Sequence, residues 1–398
     1  MNTKEYKLPK GFLASGMHCG VKKKRKDLAL FFSEKPGKVV AFFTKNKVKA
    51  APVIVGQALL EKNNCFKAIL VNSGNANCMT GKRGIKDTLA MAGAAAALLN
   101  VKEEEILVSS TGIIGKFMSM KPIMKGLPEL VKGLSQEGLL DACDGIMTTD
   151  RFRKISSRVF LIGGKEVTLT GVAKGAGMIK PDMATMLCYI FTDANISHKA
   201  MVRALTQSAE MTFNAMTVDG DMSTNDTLAL MANGLAENSL INEKGRSFSI
   251  FKENLQAVCR ELAEMIVRDG EGATKFIDIR VRGAKSKADA KKAAQGIANS
   301  LLVKCAILGG DPNWGRIASS VGASGATVDP VRLEVILDGE VFLRNGKVIS
   351  ALARKSSPVF KGKNVLIEVD LHLGKGEAVA LSCDISKKYI ALNSYYTT

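Results

Sequence analysis

The sequence predicts an α/β fold built in layers, with a main domain of about 1–275 and a second α/β domain of about 276–398. Three observations carry that expectation. Apolar, β-branched runs alternate with helical stretches whose apolar residues recur at three-and-four spacing. Strand-like segments dominate after residue 276. Loops rich in Gly, Ser, Thr and Asn follow several of the apolar runs. At 398 residues the chain is long enough for two covered cores.

In chain order, "GKVVAFFTKN" (37–46) and "FKAILVNSGNAN" (66–77) read as strands that end in polar loops. "IKDTLAMAGAAAALLN" (85–100) is an Ala-rich helix, and "EEILVSS" (104–110) is the strand after it. "RVFLIGGKEVTLTGVA" (158–173) reads as a hairpin turning at Gly163–Gly164. The stretches 197–216 and 247–270 are amphipathic helices. "FIDIRVRGA" (276–284) opens the second domain, followed by one long helix near 286–308 and two β-rich stretches, 332–349 and 364–385.

Composition narrows the function. Apolar residues make up 46% and charged residues 24%, as in an ordinary soluble protein. The start, "MNTKEYKLPKGF", has no apolar signal core, and no run of apolar residues is long enough to span a bilayer. Eight scattered cysteines without a C-x-x-C pair suit reduced thiols, so a cytoplasmic protein is expected. The net charge of +18 invites a nucleic-acid reading, but the cations are dispersed apart from "KKKRK" (22–26). With one Trp and no nucleic-acid module, small anionic substrates fit better than DNA or RNA. His18, His198 and His372 show no metal-ligand spacing, so no metal is expected. Both His198, at a helix start, and His372, in the strand-like "VDLHLG", read as structural. A catalytic base, if there is one, is then not histidine.

Five polar loops are candidates for one pocket above a sheet edge: 71–81, 108–115, 145–152, 217–226 and 308–316. A sixth segment, "KGAGMIKPDMATMLCYIFTDA" (174–194), passes from a Gly- and Pro-punctuated loop into an apolar strand at Thr185. A threonine hydroxyl needs an adjacent base to act as nucleophile. Its own α-amine, with a pKa of about 7.7–8.0, could serve if the Ala184–Thr185 bond were cut. In "SSTGIIG", the Thr111 hydroxyl and the unhindered Gly112 N–H could stabilise the resulting oxyanion.

"KGAGMIKPDMATML", with "NSGNAN", "SSTG", "IMTTD", "DGDMSTNDT", "DGEGATK" and "GDPNWGRIA", resembles the ornithine acetyltransferase family of arginine biosynthesis, the glutamate N-acetyltransferases. The motifs run in order over nearly the whole chain. The resemblance implies a layered α-β sandwich of the ornithine acetyltransferase and self-processing aminopeptidase type. It implies self-cleavage between Ala184 and Thr185 into fragments 1–184 and 185–398 that pair as an α2β2 heterotetramer. Thr185 would be the nucleophile and Thr111 with Gly112 the oxyanion hole. Thr148, Lys174, Thr185, Glu271, Asn393 and Thr398 would bind substrate. The expected reaction is ping-pong transfer of acetyl from N-acetylornithine to glutamate, without cofactor and with acetyl-CoA as a conceivable second donor. Where the family has a proline after "MTTD", this chain has Arg151 and Arg153, which puts two cations beside a substrate loop. The alternative is a self-processing amidase or aminopeptidase on a related scaffold.

Overall fold

The structure, a computed structural model, describes residues 6–180, 186–349 and 359–395. Ala184, Thr185 and Thr398 lie outside the described residues.

Two sheets organise the chain. The first is built from β1 (Phe12–Met17), β2 (Leu28–Phe43), β3 (Cys65–Asn75), β4 (Ile106–Ile113), β5 (Lys154–Ile162), β6 (Lys165–Lys174), β7 (Leu187–Thr192) and β8 (Thr227–Ala232). Its order is β4-β3-β2-β8-β7-β6-β5, with β1 beside β2. The β3–β4 and β7–β8 pairs are parallel and the others antiparallel. The long β2 belongs to both halves: its first part pairs with β1 and β3, its last part with β8, and the register shifts between Phe32 and Gly37.

Side-chain alternation along these strands creates the layers. Phe12, Phe31, Tyr189 and Phe191 meet on the inner faces of the two halves, with ring centroids 5.0–5.7 Å apart. Burying each such phenylalanine contributes about 1.5–3 kcal/mol. The next residues along, Leu28 and Leu30 or Cys188 and Ile190, face outward. Helices α1 (Ala51–Lys62), α2 (Gly81–Leu99), α3 (Met120–Lys132) and α4 (Leu139–Ile146) come from the first part of the chain, and α2 and α3 cover Leu28 and Leu30. Helices α5 (His198–Met211) and α6 (Arg246–Arg268) cover Cys188 and Ile190. The product is an α-β-β-α sandwich.

The second sheet contains β9 (Phe276–Ala284), β10 (Glu334–Leu337), β11 (Glu340–Arg344), β12 (Lys347–Val348), β13 (Asn364–Asp370) and β14 (Gly376–Cys383), in the order β12-β11-β10-β13-β9-β14. It packs its own core with α7 (Lys287–Asn299), α8 (Leu301–Leu308) and α9 (Trp314–Gly322). The last helix is α10 (Lys387–Tyr395).

Two sequence expectations need correction. The single helix near 286–308 is two helices, because the Ser300 side chain accepts a hydrogen bond from the Val303 N–H and starts α8 afresh. His372 is off the strand, in the left-handed region at φ +48°, with Nε2 3.1 Å from Glu334 Oε2. His198 does begin α5, and Gly163–Gly164 does turn the β5–β6 hairpin. Among the described residues no helix is long and apolar enough to cross a membrane, and no cluster of His, Cys, Asp and Glu could hold a metal ion.

Candidate active site

A polar cleft of about 120 Å³ brings together every predicted site residue that the structure describes: Thr111, Gly112, Thr148, Lys174, Glu271 and Asn393. Three of the five polar loops supply its walls. The 71–81 loop stands behind it, and the 308–316 loop takes no part. That last loop is the α8–α9 turn, in which the Asn313 side chain accepts from the Arg316 N–H. Its Gly and Asn residues serve helix geometry.

Thr111 and Gly112 close β4, where the parallel partner β3 becomes irregular at Gly74–Asn75. Gly112 has φ +131°, and a Cβ there would collide with the main chain of Gly74 and Asn75. Buried amides hold this corner. Asn72 accepts from the Ser110 hydroxyl at 2.6 Å and donates to the Asn75 carbonyl at 2.9 Å. The Asn225 side chain donates to the Ala76 and Ser110 carbonyls at 2.7 and 2.8 Å. "NSGNAN" is thus the scaffold that sets Thr111 and Gly112 in place.

The Thr148 loop is organised by Asp150, which is 1% exposed. Asp150 accepts from the Thr148 N–H at 2.8 Å, the Gly175 N–H at 2.7 Å and Lys154 Nζ at 2.6 Å. Lys154 is fully buried and also reaches Asp269, again at 2.6 Å. Burial opposes the charge on Asp150, but Lys154, Lys174 and these hydrogen bonds outweigh it and hold the carboxyl at about 2. One buried carboxylate therefore ties the Thr148 loop to the start of the 174–180 loop.

Lys174 ends β6 and is buried. Desolvation lowers its pKa, opposed by Asp150 and Asp226. Glu271 follows α6. Its N–H donates to the Ala176 carbonyl at 2.8 Å, and its Oε2 accepts from Asn393 Nδ2 at 2.9 Å. Gly177 leaves the space that the Glu271 carboxyl occupies. Asp219 and Asp221 also line the cleft, so carboxylates and one ammonium face the same space. Such a cavity suits a zwitterionic amino acid with a cationic side chain.

Arg151 and Arg153 do not line it. Arg151 Nε lies 2.8 Å from Asp269, and Arg153 makes a two-bonded pair with Asp144 at 2.6 and 2.7 Å. The basic run turns back on the same region: Lys22 Nζ donates to the Met147 carbonyl at 2.8 Å. Sequence reasoning missed Asp150, Lys154, Asp219 and Asp226. Each sits in a loop or at a strand end where an Asp or Lys reads as an ordinary solvated residue, and only tertiary packing buries it.

An α-β-β-α sandwich with a Thr–Gly corner, a buried lysine and flanking carboxylates around a small polar cleft is suited to acyl transfer. Residues 13–398 match the ArgJ family. The "Arginine biosynthesis bifunctional protein ArgJ" of Caldanaerobacter subterraneus is 45% identical over 98% of both chains. The protein of the same description from Geobacter sulfurreducens is 44% identical over 98% of this chain and 99% of its own. The crystal structure of the Bacillus halodurans ArgJ protein matches with TM-score 0.51 and 39% identity, covering 52% of this chain and 98% of the solved one. The chain belongs to the ArgJ family.

Proposed function

We propose that the protein cuts itself between Ala184 and Thr185 and then transfers acetyl from N-acetylornithine to glutamate through an acetyl-Thr185 ester, in arginine biosynthesis. The observation that carries this reading is the convergence of Thr111, Gly112, Thr148, Lys174, Glu271 and Asn393 on one cleft, from segments far apart in sequence. A supporting one is length: the solved Bacillus halodurans chain is matched almost end to end by 52% of this chain, about the size of one cleavage fragment.

The Thr185 hydroxyl, with its own amine as base, attacks the acetyl carbonyl, and Thr111 with Gly112 receives the oxyanion. Ornithine leaves; the glutamate amine then attacks the ester and restores the free hydroxyl. Lys174 pairs with the substrate carboxylate, while Glu271, supported by Asn393, receives the ornithine ammonium. Thr148 and Thr398 complete the binding set. No metal or cofactor enters this scheme, acetyl-CoA is a second possible acetyl donor, and the assembly is an α2β2 heterotetramer in the cytoplasm.

Denaturing intact mass of wild type beside Thr185→Ala tests the first step. Two fragments in wild type and one species of 42.5 kDa in the variant are expected. A full-length wild type would overturn the mechanism. N-acetylornithine supplied with and without glutamate tests the second step. Acetate released at an undiminished rate without glutamate would point to a hydrolase instead.

A further inference from the structure

Two segments of the chain run side by side before they reach the cleft, and then part. Met216 and Leu381 form a parallel bridge, and the Thr217 N–H donates to the Leu381 carbonyl at 2.8 Å. Val218 then leads into Asp219 and Asp221, which line the cleft. Cys383, the end of β14, leads into Asp384 and α10, whose Tyr389 and Asn393 also line it.

Lys304, on α8, is fastened where the segments part. Its ammonium donates to the Val218 carbonyl at 3.0 Å, the Cys383 carbonyl at 2.7 Å and the Ser382 hydroxyl at 2.6 Å. The residue is 2% exposed, and these three acceptors are uncharged. A buried ammonium is costly unless its three protons meet acceptors. Here all three do. Desolvation lowers the Lys304 pKa, opposed by Cys383, Asp219 and Asp384. An apolar side chain would fill the same space but tie nothing together.

The two branches meet again at the cleft wall, where the Tyr389 hydroxyl donates to Asp219 Oδ2 at 3.4 Å. The second branch also brackets Glu271. Asp384 accepts from the Thr274 and Lys275 N–H groups at 2.7 and 2.9 Å, and the Ser386 hydroxyl donates to the Gly272 carbonyl at 2.7 Å. The Thr111–Gly112 corner is held separately, because Asn225 ties the far end of the 217–226 loop to the Ala76 and Ser110 carbonyls.

We propose that Lys304 is a positioning residue: by tying Val218 to Cys383 it sets the spacing between Asp219 and the wall formed by Glu271, Tyr389 and Asn393, and so the fit of the donor's cationic side chain. This deepens the reading above and rests on its placement of the ornithine ammonium at Glu271. Lys304 does not itself line the cleft, so it acts only through these segments.

The test compares wild type, Lys304→Met, Ser382→Ala and Val335→Ala by thermal melts and two-substrate kinetics. Methionine keeps the length and removes all three donors, and Ser382→Ala removes one of the three acceptors. Val335→Ala opens the core of the same domain on β10, three strands away from β14. Lys304→Met is expected to raise the KM for N-acetylornithine about tenfold, the equivalent of one weakened charge-assisted hydrogen bond, with kcat and the glutamate KM changing far less. Ser382→Ala is expected to give a smaller rise in the same KM. Val335→Ala is expected to lower the melting temperature and leave both KM values alone. A folded Lys304→Met enzyme with an unchanged N-acetylornithine KM would overturn the proposal, as would an equal rise in both KM values. A matching KM rise in Val335→Ala would also overturn it, because Lys304 would then serve stability alone. Should Lys304→Met not fold, Ser382→Ala carries the test, and an unchanged N-acetylornithine KM there would overturn the proposal. A wild type that transfers no acetyl from N-acetylornithine would instead overturn the functional reading.

Discussion

Asn393, on the last helix, donates to Glu271, 122 residues earlier, and the two meet at 2.9 Å on the wall of the cleft. The contact ties α10 to the loop after α6 and orients the one glutamate that faces the cavity among the described residues. Glu271→Gln retains the shape and removes the charge. The KM for N-acetylornithine should rise on the order of 10- to 100-fold, consistent with a lost charge-assisted hydrogen bond of roughly 1.5–3 kcal/mol. Steady-state kinetics with each substrate varied in turn checks this, and the KM for glutamate should change far less. Asn393→Ala, which removes only the exposed supporting donor, should cost about 0.5–1.5 kcal/mol by the same assay.

Gly112 offers a sharper prediction. At φ +131° against the Gly74–Asn75 main chain, alanine is both strained and obstructed. Gly112→Ala should lower the melting temperature and displace the proposed oxyanion donor. Thr111→Val should leave the fold nearly unchanged while reducing kcat on the order of 100- to 1,000-fold. Thermal melts and initial rates on the two variants separate these effects. Equal melting temperatures would contradict the reading of Gly112, and an unchanged rate in Thr111→Val would contradict that of Thr111.

The Asp150–Lys154–Asp269 network predicts both a mutant and a pH effect. Lys154→Met leaves two buried carboxylates without their shared cation and should destabilise the protein by about 3–5 kcal/mol. Asp150 is held at about 2 in the folded protein. Because the folded value lies below the ordinary one near 4, the stabilisation is complete above pH ~4 and fades as pH falls toward 2. The loss amounts to about 2 kcal/mol, on the scale of 1.36 kcal/mol per pKa unit. Urea unfolding at pH 6, 4 and 3 measures it, and Asp150→Asn should flatten this part of the profile.

These residues mark the boundary of what a single sequence reveals. Thr111, Gly112, Thr148, Lys174, Glu271 and Asn393 stand in short ordered motifs, so they could be selected before any coordinates were known. The α/β layering was legible for the same kind of reason: the continuous apolar run in "TMLCYIFTDA" and the three-and-four spacing of α6 are local signals. Ser300 was missed because one serine between two apolar runs weakly signals a cap. Lys154 and Asp269 were missed for a deeper reason. They are 115 residues apart and become partners only when the α6 terminus packs on the Thr148 loop. Nothing in the local sequence distinguishes a buried lysine from a solvated one. Asp226 is hidden in the same way, as a turn residue in a polar loop.

Arg151 and Arg153 are where the sequence departs from the family pattern. Two cations beside a substrate loop suggest altered acceptor binding. The structure turns both away: Arg151 spans to Asp269 and the Arg268 carbonyl, and Arg153 is held by Asp144. Both arginine side chains are roughly half exposed, so each pair is worth no more than about 1 kcal/mol. Arg153→Ala should therefore leave both KM values within about twofold and lower stability only slightly. Arg151→Ala should cost somewhat more stability, because Asp269 is fully buried and loses one of its two cations while keeping Lys154. Chemical denaturation and two-substrate kinetics on the pair decide the matter. A large rise in the glutamate KM in either variant would show that these arginines act on the acceptor after all, through the field in the cleft if not by contact.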